Sequence, residues 1–298
     1  MDYGRPIEFG YFLDPSGPDF APALRLAQLA DQLALDFIGI QDHPYHRRHF
    51  DTWTLLTALA TQTSRIRYVP DVANLPLRPP ALLAKAAATL DRITGGRVEL
   101  ALGAGAQWDA IAAMGGPRRT PAEAVAALSE AIDVVRMVWG GERGLRYRGE
   151  HYRLDGYNSG PTPAHPMEIW LGAYGPRMLA LTGAKADGWL PSTYYFGPDR
   201  VAAAQQRIDD AAAAAGRDPA AIRRAYNIVP GLPDWFLAGP PETWVDELTE
   251  LATEQGMDTF ILAPPRDHEQ LLHAFAEHVV PAVRDAVAAE RAGSVRTP

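Results

Sequence analysis

Residues 82–105, LLAKAAATLDRITGGRVELALGAG, carry one full unit of the pattern that decides the fold. Leu82, Ala86, Leu90 and Ile93 recur at steps of four, four and three, the period of a helix with one apolar face. Gly95-Gly96 stops that helix, residues 98–102 form a short apolar run of strand character, and Gly103-Ala104-Gly105 opens a loop behind it. The same unit repeats upstream. Residues 7–12 read as a strand, Ala23, Ala27, Ala30 and Ala34 as a helix, 37–40 as a strand, 52–63 as a helix, and 66–69 as a strand that Pro70 ends. Downstream, Pro121 opens a helix marked by Val125, Leu128, Ile132, Val135 and Val138. Strands at 167–171, 187–190, 222–229 and 259–262 then alternate with helices from about 175 and over 200–215, 241–255 and 267–289.

Strands separated by helices imply parallel βαβ units, and eight of them in 298 residues fit a closed (β/α)8 TIM barrel, with a doubly wound open sheet as the alternative. Residues 145–154 read as a hairpin in an insertion at about 140–165, ahead of the fifth barrel strand. No Pro- or Ser-rich linker cuts the chain, so residues 1–298 are expected to form one barrel domain.

Composition narrows the function classes. There is no Cys, which excludes disulfides, thiolate metal sites, iron–sulfur clusters and a cysteine nucleophile. With Lys+Arg 28 against Asp+Glu 36, the net charge of −8 disfavours bulk nucleic-acid binding, which needs phosphate-neutralising cations. No apolar run approaches the roughly 20 residues that span a bilayer, and the start of the chain lacks signal-peptide character, so a cytoplasmic enzyme without membrane contact is expected. Neither a Gly-x-Ser-x-Gly elbow nor a Gly-x-x-x-x-Gly-Lys-Ser/Thr loop occurs.

In a barrel of this kind chemistry sits at the C-terminal ends of the strands. Behind the second strand stands Gln41-Asp42-His43-Pro44-Tyr45-His46-Arg47-Arg48-His49. A carboxylate beside an imidazole suits proton transfer; the plainer reading is a capping Asp42 with His43 packed on it. Pro44 is expected to keep His43, His46 and His49 off a shared helical face, and no metal is expected. Behind the third strand, Pro70-Asp71-Val72 is either a backbone platform for a ligand or a rigid turn. Gly103-Ala104-Gly105-Ala106-Gln107-Trp108-Asp109 opens like a dinucleotide fingerprint, but Trp108 replaces its third glycine and a loop-like segment follows. Gly172-Ala173-Tyr174-Gly175-Pro176-Arg177 enters a helix with small residues, leaving backbone N–H groups and Arg177 for an anion.

These motifs together resemble the luciferase-like monooxygenase family, in particular its subgroup that uses the deazaflavin coenzyme F420. The resemblance rests on Asp42-His43, on 75–85 (LPLRPPALLAK), on 89–105 (TLDRITGGRVELALGAG), on Leu171-Gly172-Ala173-Tyr174-Gly175-Pro176 and on Ala186-Asp187-Gly188-Trp189. It implies a bacterial luciferase-like barrel with a flavin-type cofactor at the strand C-termini. Asp42 and His43 match positions beside the ring, with His43 exchanging a proton or stabilising charge. Asp71-Val72 matches a bulge whose non-prolyl cis peptide supports the ring. Gly103, Gly105 and Asp109 match a cofactor-lining loop, and Ala173, Tyr174 and Gly175, with Arg177, match the phosphate loop. The family's sugar-phosphate branch has an acid directly after the strand-four glycines; here that position is Ala106, so the acid does not carry over. Trp108, Tyr194, Tyr195, Trp235 and Phe236 are candidates for an apolar substrate pocket.

The function implied is an F420-dependent oxidoreductase moving a hydride between the deazaflavin and a small organic substrate, as a homodimer like many relatives. The alternatives are a two-component monooxygenase using reduced FMN and O₂, and a non-catalytic cofactor-binding barrel. A chain of charge −8 that binds an anionic cofactor needs a locally basic mouth, for which Arg47, Arg48, Arg118, Arg119 and Arg177 are the candidates.

Overall fold

The computed structural model describes residues 1–231 and 236–294. Strand β1 (Glu8–Leu13) leads to α1 (Phe20–Gln32), β2 (Phe37–Ile40), α2 (Thr52–Ala60), β3 (Arg67–Pro70), β4 (Ala73–Asn74) and α3 (Pro80–Thr94). Next come β5 (Leu100–Gly103), a short α4 (Trp108–Ala113), the long α5 (Pro121–Trp139) and the hairpin β6 (Leu145–Arg148) and β7 (Arg153–Tyr157). The remainder is β8 (Ile169–Leu171), α6 (Pro176–Lys185), β9 (Gly188–Trp189), α7 (Val201–Ala214), β10 (Arg223–Ile228), α8 (Trp244–Thr253) and β11 (Thr259–Leu262). The last two helices, α9 (His268–Ala274) and α10 (Val280–Ser294), join through a π-helical turn at Phe275–Val279.

Nine parallel strands run in the order β3-β2-β1-β11-β10-β9-β8-β5-β4. A parallel bridge between Tyr68 and Val98 and the bond from Glu99 N–H to Tyr68 O, 2.9 Å, bring the two ends of the sheet together. β3 and β4 are two pieces of one stave, separated by Asp71-Val72, so nine strands fill the eight positions of the expected (β/α)8 TIM barrel.

Alternation along each strand sorts side chains between the barrel interior and the helix layer. Inside, Phe37, Val69, Ala101, Trp170, Leu190, Ala225 and Ile261 form a compact buried plug. Their neighbours Ile38, Ile40, Tyr68, Leu100, Leu102, Ile169, Leu171, Tyr226, Phe260 and Leu262 pack outward in the separate core under the helices. Two residues below the plug the inward rows become charged: Arg67 and Arg223 bond Glu8, Arg223 also bonds Glu168 at 3.0 Å, and Arg67 lies 3.8 Å over the Phe37 ring. Two residues above the plug the same rows reach Asp71, Gly103, Gly172, Ser192, Asn227 and Ala263, all of which face one cavity. Each strand therefore contributes a polar base, an apolar middle and a site residue at the top.

Several expectations need correction. The apolar stripe on α3 faces inward through Leu83, Ala87 and Leu90, whereas Leu82 and Ile93 are largely exposed. Steps of four and three from Leu83 reach Ala87 and Leu90 on the buried face. The segment after Gly105, expected to be loop-like, contains α4, and the helix expected over 52–63 ends at Ala60. The helix expected from 241 begins with a single 3-10 turn and becomes regular only at Trp244.

Helix α6 packs closely on α7 because Gly183 has no side chain. A Cβ there would sit 2.1 Å from the Ile208 carbonyl oxygen and 2.9 Å from Ala211 Cβ. Gly183→Ala is expected to cost about 1–3 kcal/mol through overpacking. A lower urea midpoint at unchanged m-value would register that loss.

Candidate functional site

The tops of the strands enclose a cavity of about 960 Å³. Its floor is polar. Asn227 Nδ2 donates to Asp71 Oδ1 at 3.0 Å across the barrel, and both side chains are buried. Asp71 reaches this place because Gly39 stands opposite: a Cβ on Gly39 would lie 2.8 Å from Asp71 Oδ2. Asp71 Oδ2 and Asn227 Oδ1 are buried acceptors without a donor, as is Asn74 Oδ1 beside them. Burial lifts the Asp71 carboxyl to about 7, against the opposing pull of the Asn227 bond.

An acid raised in this way binds its proton more tightly folded than unfolded, so stability falls as pH rises from the ordinary carboxylate range to about 7. The slope is roughly 1 kcal/mol per pH unit. Asp71→Asn keeps the acceptor for Asn227 Nδ2 and adds a donor for Asn227 Oδ1. The variant is expected to match the wild type near pH 4 and to be the more stable protein at pH 8. Denaturant unfolding of ligand-free protein across that range checks the sign.

The peptide Asp71-Val72 is cis, as the strand-three resemblance implies. Val72 projects between two glycine strand ends. A Cβ on Gly103 would meet Val72 Cγ2 at 2.7 Å, and one on Gly172 would meet the Val72 methyls at 3.3 Å. Gly105, at φ +111°, adopts a left-handed backbone, with Trp108 and Pro76 filling the space where a side chain would be.

One wall is the loop behind β2. Asp51 caps α2 through Thr54 N–H, 3.0 Å, and Thr52 Oγ1 donates to the Gln41 carbonyl at 2.7 Å, pinning both ends of the loop. Two successive turns, His46 N–H to His43 O and His49 N–H to His46 O, stack the imidazoles edge to face at 5.6 and 4.9 Å. No helix forms over 43–49, in line with Pro44 denying these histidines a shared helical face, yet consecutive turns still bring the three rings together. Among the described residues, no group of three or more His, Cys, Asp or Glu side chains could hold a metal ion.

Asp42 and His43 differ in what they are free to do. Asp42 is 1% exposed, takes a bidentate grip from Arg78 (Nε 2.6 Å, Nη2 2.8 Å) and accepts the Asn74 N–H at 2.8 Å. Arg78 continues to Asp51 at 2.7 Å. Burial opposes its charge, but the bonds and charges of Asp42 and Asp51 raise its pKa above the ordinary arginine value. Asp42 is thus a fixed post between the β2 and β4 ends. His43 is half-buried at the cavity wall, with Nδ1 2.6 Å from Tyr45 Oη and its other ring nitrogen without a protein partner. Burial, then His46 and His49, lowers its pKa against the smaller opposing effect of Asp42, which favours neutral imidazole.

The opposite wall comes from the β8–α6 and β9–α7 loops. Tyr174, Tyr194 and Tyr195 line the cavity and remain exposed, their rings 5.9 Å (Tyr174–Tyr195) and 4.8 Å (Tyr194–Tyr195) apart. Gly175 precedes α6 without a side-chain cap, so first-turn N–H groups remain for a ligand. Ala173 is buried behind this loop, where its carbonyl accepts the Trp189 Nε1–H at 2.9 Å.

Of the residues singled out from sequence, Asp42, His43, Asp71, Val72, Gly103, Gly105, Tyr174, Gly175, Tyr194 and Tyr195 meet at this cavity. Asp109, Trp108 and Arg177 do not line it. Asp109 is exposed and pairs with Arg118 at 2.5 Å, Trp108 folds over Gly105, and Arg177 is exposed on α6. Trp235 lies outside the described residues. The expected basic mouth is also dispersed: Arg118 is held by Asp109, Arg119 lies 5.5 Å over the Tyr152 ring, and Arg47 and Arg48 are exposed without facing the cavity. Sequence reading missed Tyr45, Asn74, Arg78 and Asn227. For Asn227 a signal existed, since it lies two residues beyond inward-facing Ala225 on the same strand.

Comparison with known proteins places the chain in a family. The family described as luciferase-like monooxygenase matches residues 6–231. The chain is 30% identical over 221 residues to 5,10-methylenetetrahydromethanopterin reductase of Archaeoglobus fulgidus, covering 72% of this chain and 61% of that protein. Identity is 26% to F420-dependent glucose-6-phosphate dehydrogenase of Nakamurella multipartita, with 94% and 97% covered. The fold matches a solved F420-dependent secondary alcohol dehydrogenase, in complex with an F420-acetone adduct, at TM-score 0.82 and 21% identity, covering 94% of this chain and all of that one, 100%. With the family matching more than half of its length, the chain belongs to the luciferase-like monooxygenases.

Proposed function

We propose that this protein is a cytoplasmic, coenzyme F420-dependent oxidoreductase that transfers a hydride between the deazaflavin and a small organic substrate. The observation that carries this reading is the cavity itself, where a side-chain-free glycine floor around Val72 faces a neutral imidazole. The relative named as an F420-dependent glucose-6-phosphate dehydrogenase supports F420 as the cofactor. The residues fit such a group. Gly103 and Gly172 make room for Val72 at the cavity, Gly105 makes room for Trp108 and Pro76, and the Asn74 and Asn227 side-chain carbonyls, without a partner among the described residues, would accept N–H donors from a planar ring. The Tyr174-Gly175 loop and the first turn of α6 would hold phosphate.

When bound, the deazaflavin supplies or accepts the hydride. The chain's own residues orient and insulate. Val72 and the glycines set the depth of the ring, the three tyrosines screen the mouth from water, and His43 meets charge developing on the substrate. Asp42, gripped by Arg78, keeps the His43 loop in place. The exposed Leu82 and Ile93 on α3 support a homodimer, because this apolar face gains by being covered.

The test is anaerobic turnover of a broad panel of ketones, alcohols, enones and imines with reduced or oxidised F420. Turnover of any member at constant cofactor stoichiometry supports the reading. Tight F420 binding with no turnover across the panel replaces it with a cofactor-binding barrel lacking catalysis.

A further inference from the structure

Tyr45 has no role in the reading so far, yet its hydroxyl makes the closest contact to the imidazole at the cavity wall. The separation from Tyr45 Oη to His43 Nδ1 is 2.6 Å. At 2.6 Å either group could donate, but a phenol is a stronger acid than a neutral imidazole N–H and an imidazole nitrogen a stronger base than a phenol oxygen, so the contact favours the phenol as donor and Nδ1 as acceptor. Burial, with smaller effects from Asp42 and Tyr195, pushes the Tyr45 phenol up to about 12, so it retains the hydrogen that this bond requires.

The groups facing His43 fix its charge in the same direction. On its own loop they are Asp42, His46 and His49; from the segment before α3, Arg78 reaches it through Asp42. Arg78 neutralises the one nearby anion, and the two other imidazoles oppose a further positive charge. A neutral imidazole has one donor and one acceptor nitrogen. With Nδ1 accepting, the hydrogen is on Nε2, which has no partner among the described residues.

We propose that Tyr45 is a positioning residue that locks His43 in the tautomer carrying its hydrogen on Nε2. The cavity then presents a neutral N–H donor to an acceptor oxygen of an uncharged substrate, such as a ketone carbonyl or the hydroxyl formed from it. Among the described residues no Lys or Arg side chain lines the cavity, which fits an uncharged substrate and leaves a phosphorylated one without a counter-ion. The chemical meaning of the donor rests on the hydride-transfer reading above; the tautomer itself does not.

The experiment reads the tautomer directly. Long-range ¹H–¹⁵N correlation spectra of ligand-free, ¹⁵N-labelled protein near neutral pH report which ring nitrogen carries hydrogen, with His43→Gln assigning the signal. The wild type is expected to show hydrogen on Nε2. In Tyr45→Phe the tautomer ratio is expected to fall by about five- to tenfold, the loss of one hydrogen bond of ordinary strength. Activity on any substrate found in the panel is expected to fall about tenfold in kcat, with cofactor Kd and urea midpoint unchanged. Wild-type hydrogen on Nδ1, or an unaltered ratio in Tyr45→Phe, overturns the proposal. If Tyr45→Phe does not fold, the wild-type spectrum alone still decides. The spectra contain no cofactor, so failure of the F420 reading shows in the turnover panel and failure of the tautomer lock shows here.

Discussion

His43→Ala is expected to lower kcat by about 10²–10³-fold while leaving deazaflavin affinity within about threefold of the wild type. Among the described residues His43 is the one imidazole lining the cavity; of the other ionisable groups there, Asp42 is held by Arg78 and Asp71 by Asn227. A donor that strengthens its bond as negative charge develops on a substrate oxygen stabilises the transition state more than bound substrate. Its removal is therefore expected to appear in kcat rather than in cofactor binding, which the proposal assigns to the Val72 platform and the α6 terminus. Anaerobic steady-state kinetics and an equilibrium cofactor titration on the same preparation separate the two quantities. Unchanged turnover at normal cofactor binding would assign the histidine a structural role only.

Arg78→Met is expected to destabilise the protein by about 3–5 kcal/mol, since removing one partner of a buried ion pair leaves the other charge uncompensated. Asp42 keeps none of its side chain in solvent and receives two of its three hydrogen bonds from Arg78. Without the guanidinium, the carboxylate retains the Asn74 N–H alone. Urea unfolding at pH 7 tests the magnitude. Because Arg78 also holds Asp51, the cap of α2, the double variant with Asp42→Asn is expected to recover part of the stability and not all of it.

Much of the barrel was legible because parallel strands buried on both faces announce themselves as short apolar runs, and helices by their period. The strand at Phe37–Ile40 and the strand at Thr259–Leu262 agree residue for residue with the sequence reading. The α3 face was misread by one residue because Leu82 and Leu83 are adjacent and equally apolar; only packing distinguishes which one the barrel covers. The divided third stave was expected as a bulge from resemblance, while the strand piece Ala73–Asn74 is too short to carry a period.

At the site, glycines and charged motifs next to strand ends were visible, and most of them line the cavity. What failed was the assignment of roles to neighbours. Asp109 follows directly on the glycine loop, yet α4 turns it outward to Arg118. Asp42 and His43 are adjacent and both line the cavity, but Asp42 is gripped by Arg78 whereas His43 is bonded through one ring nitrogen. Arg78 and Asn227 lie 36 and 156 residues from the carboxylates they bond, Asp42 and Asp71, and no local pattern announces such pairs. The arginines were grouped by their place in loops, although a loop at the mouth has an outer side as well.

The central claim is that this cavity is built for a deazaflavin. The most direct measurement is a pair of equilibrium titrations of the ligand-free protein, one with F420 and one with FMN, followed by fluorescence under identical buffer and salt. The expected result is saturable, one-to-one binding of F420 with at least about tenfold weaker binding of FMN, a difference of about 1.4 kcal/mol. Tight FMN binding with no detectable F420 binding would contradict the claim and place the chain with the flavin-dependent monooxygenases instead.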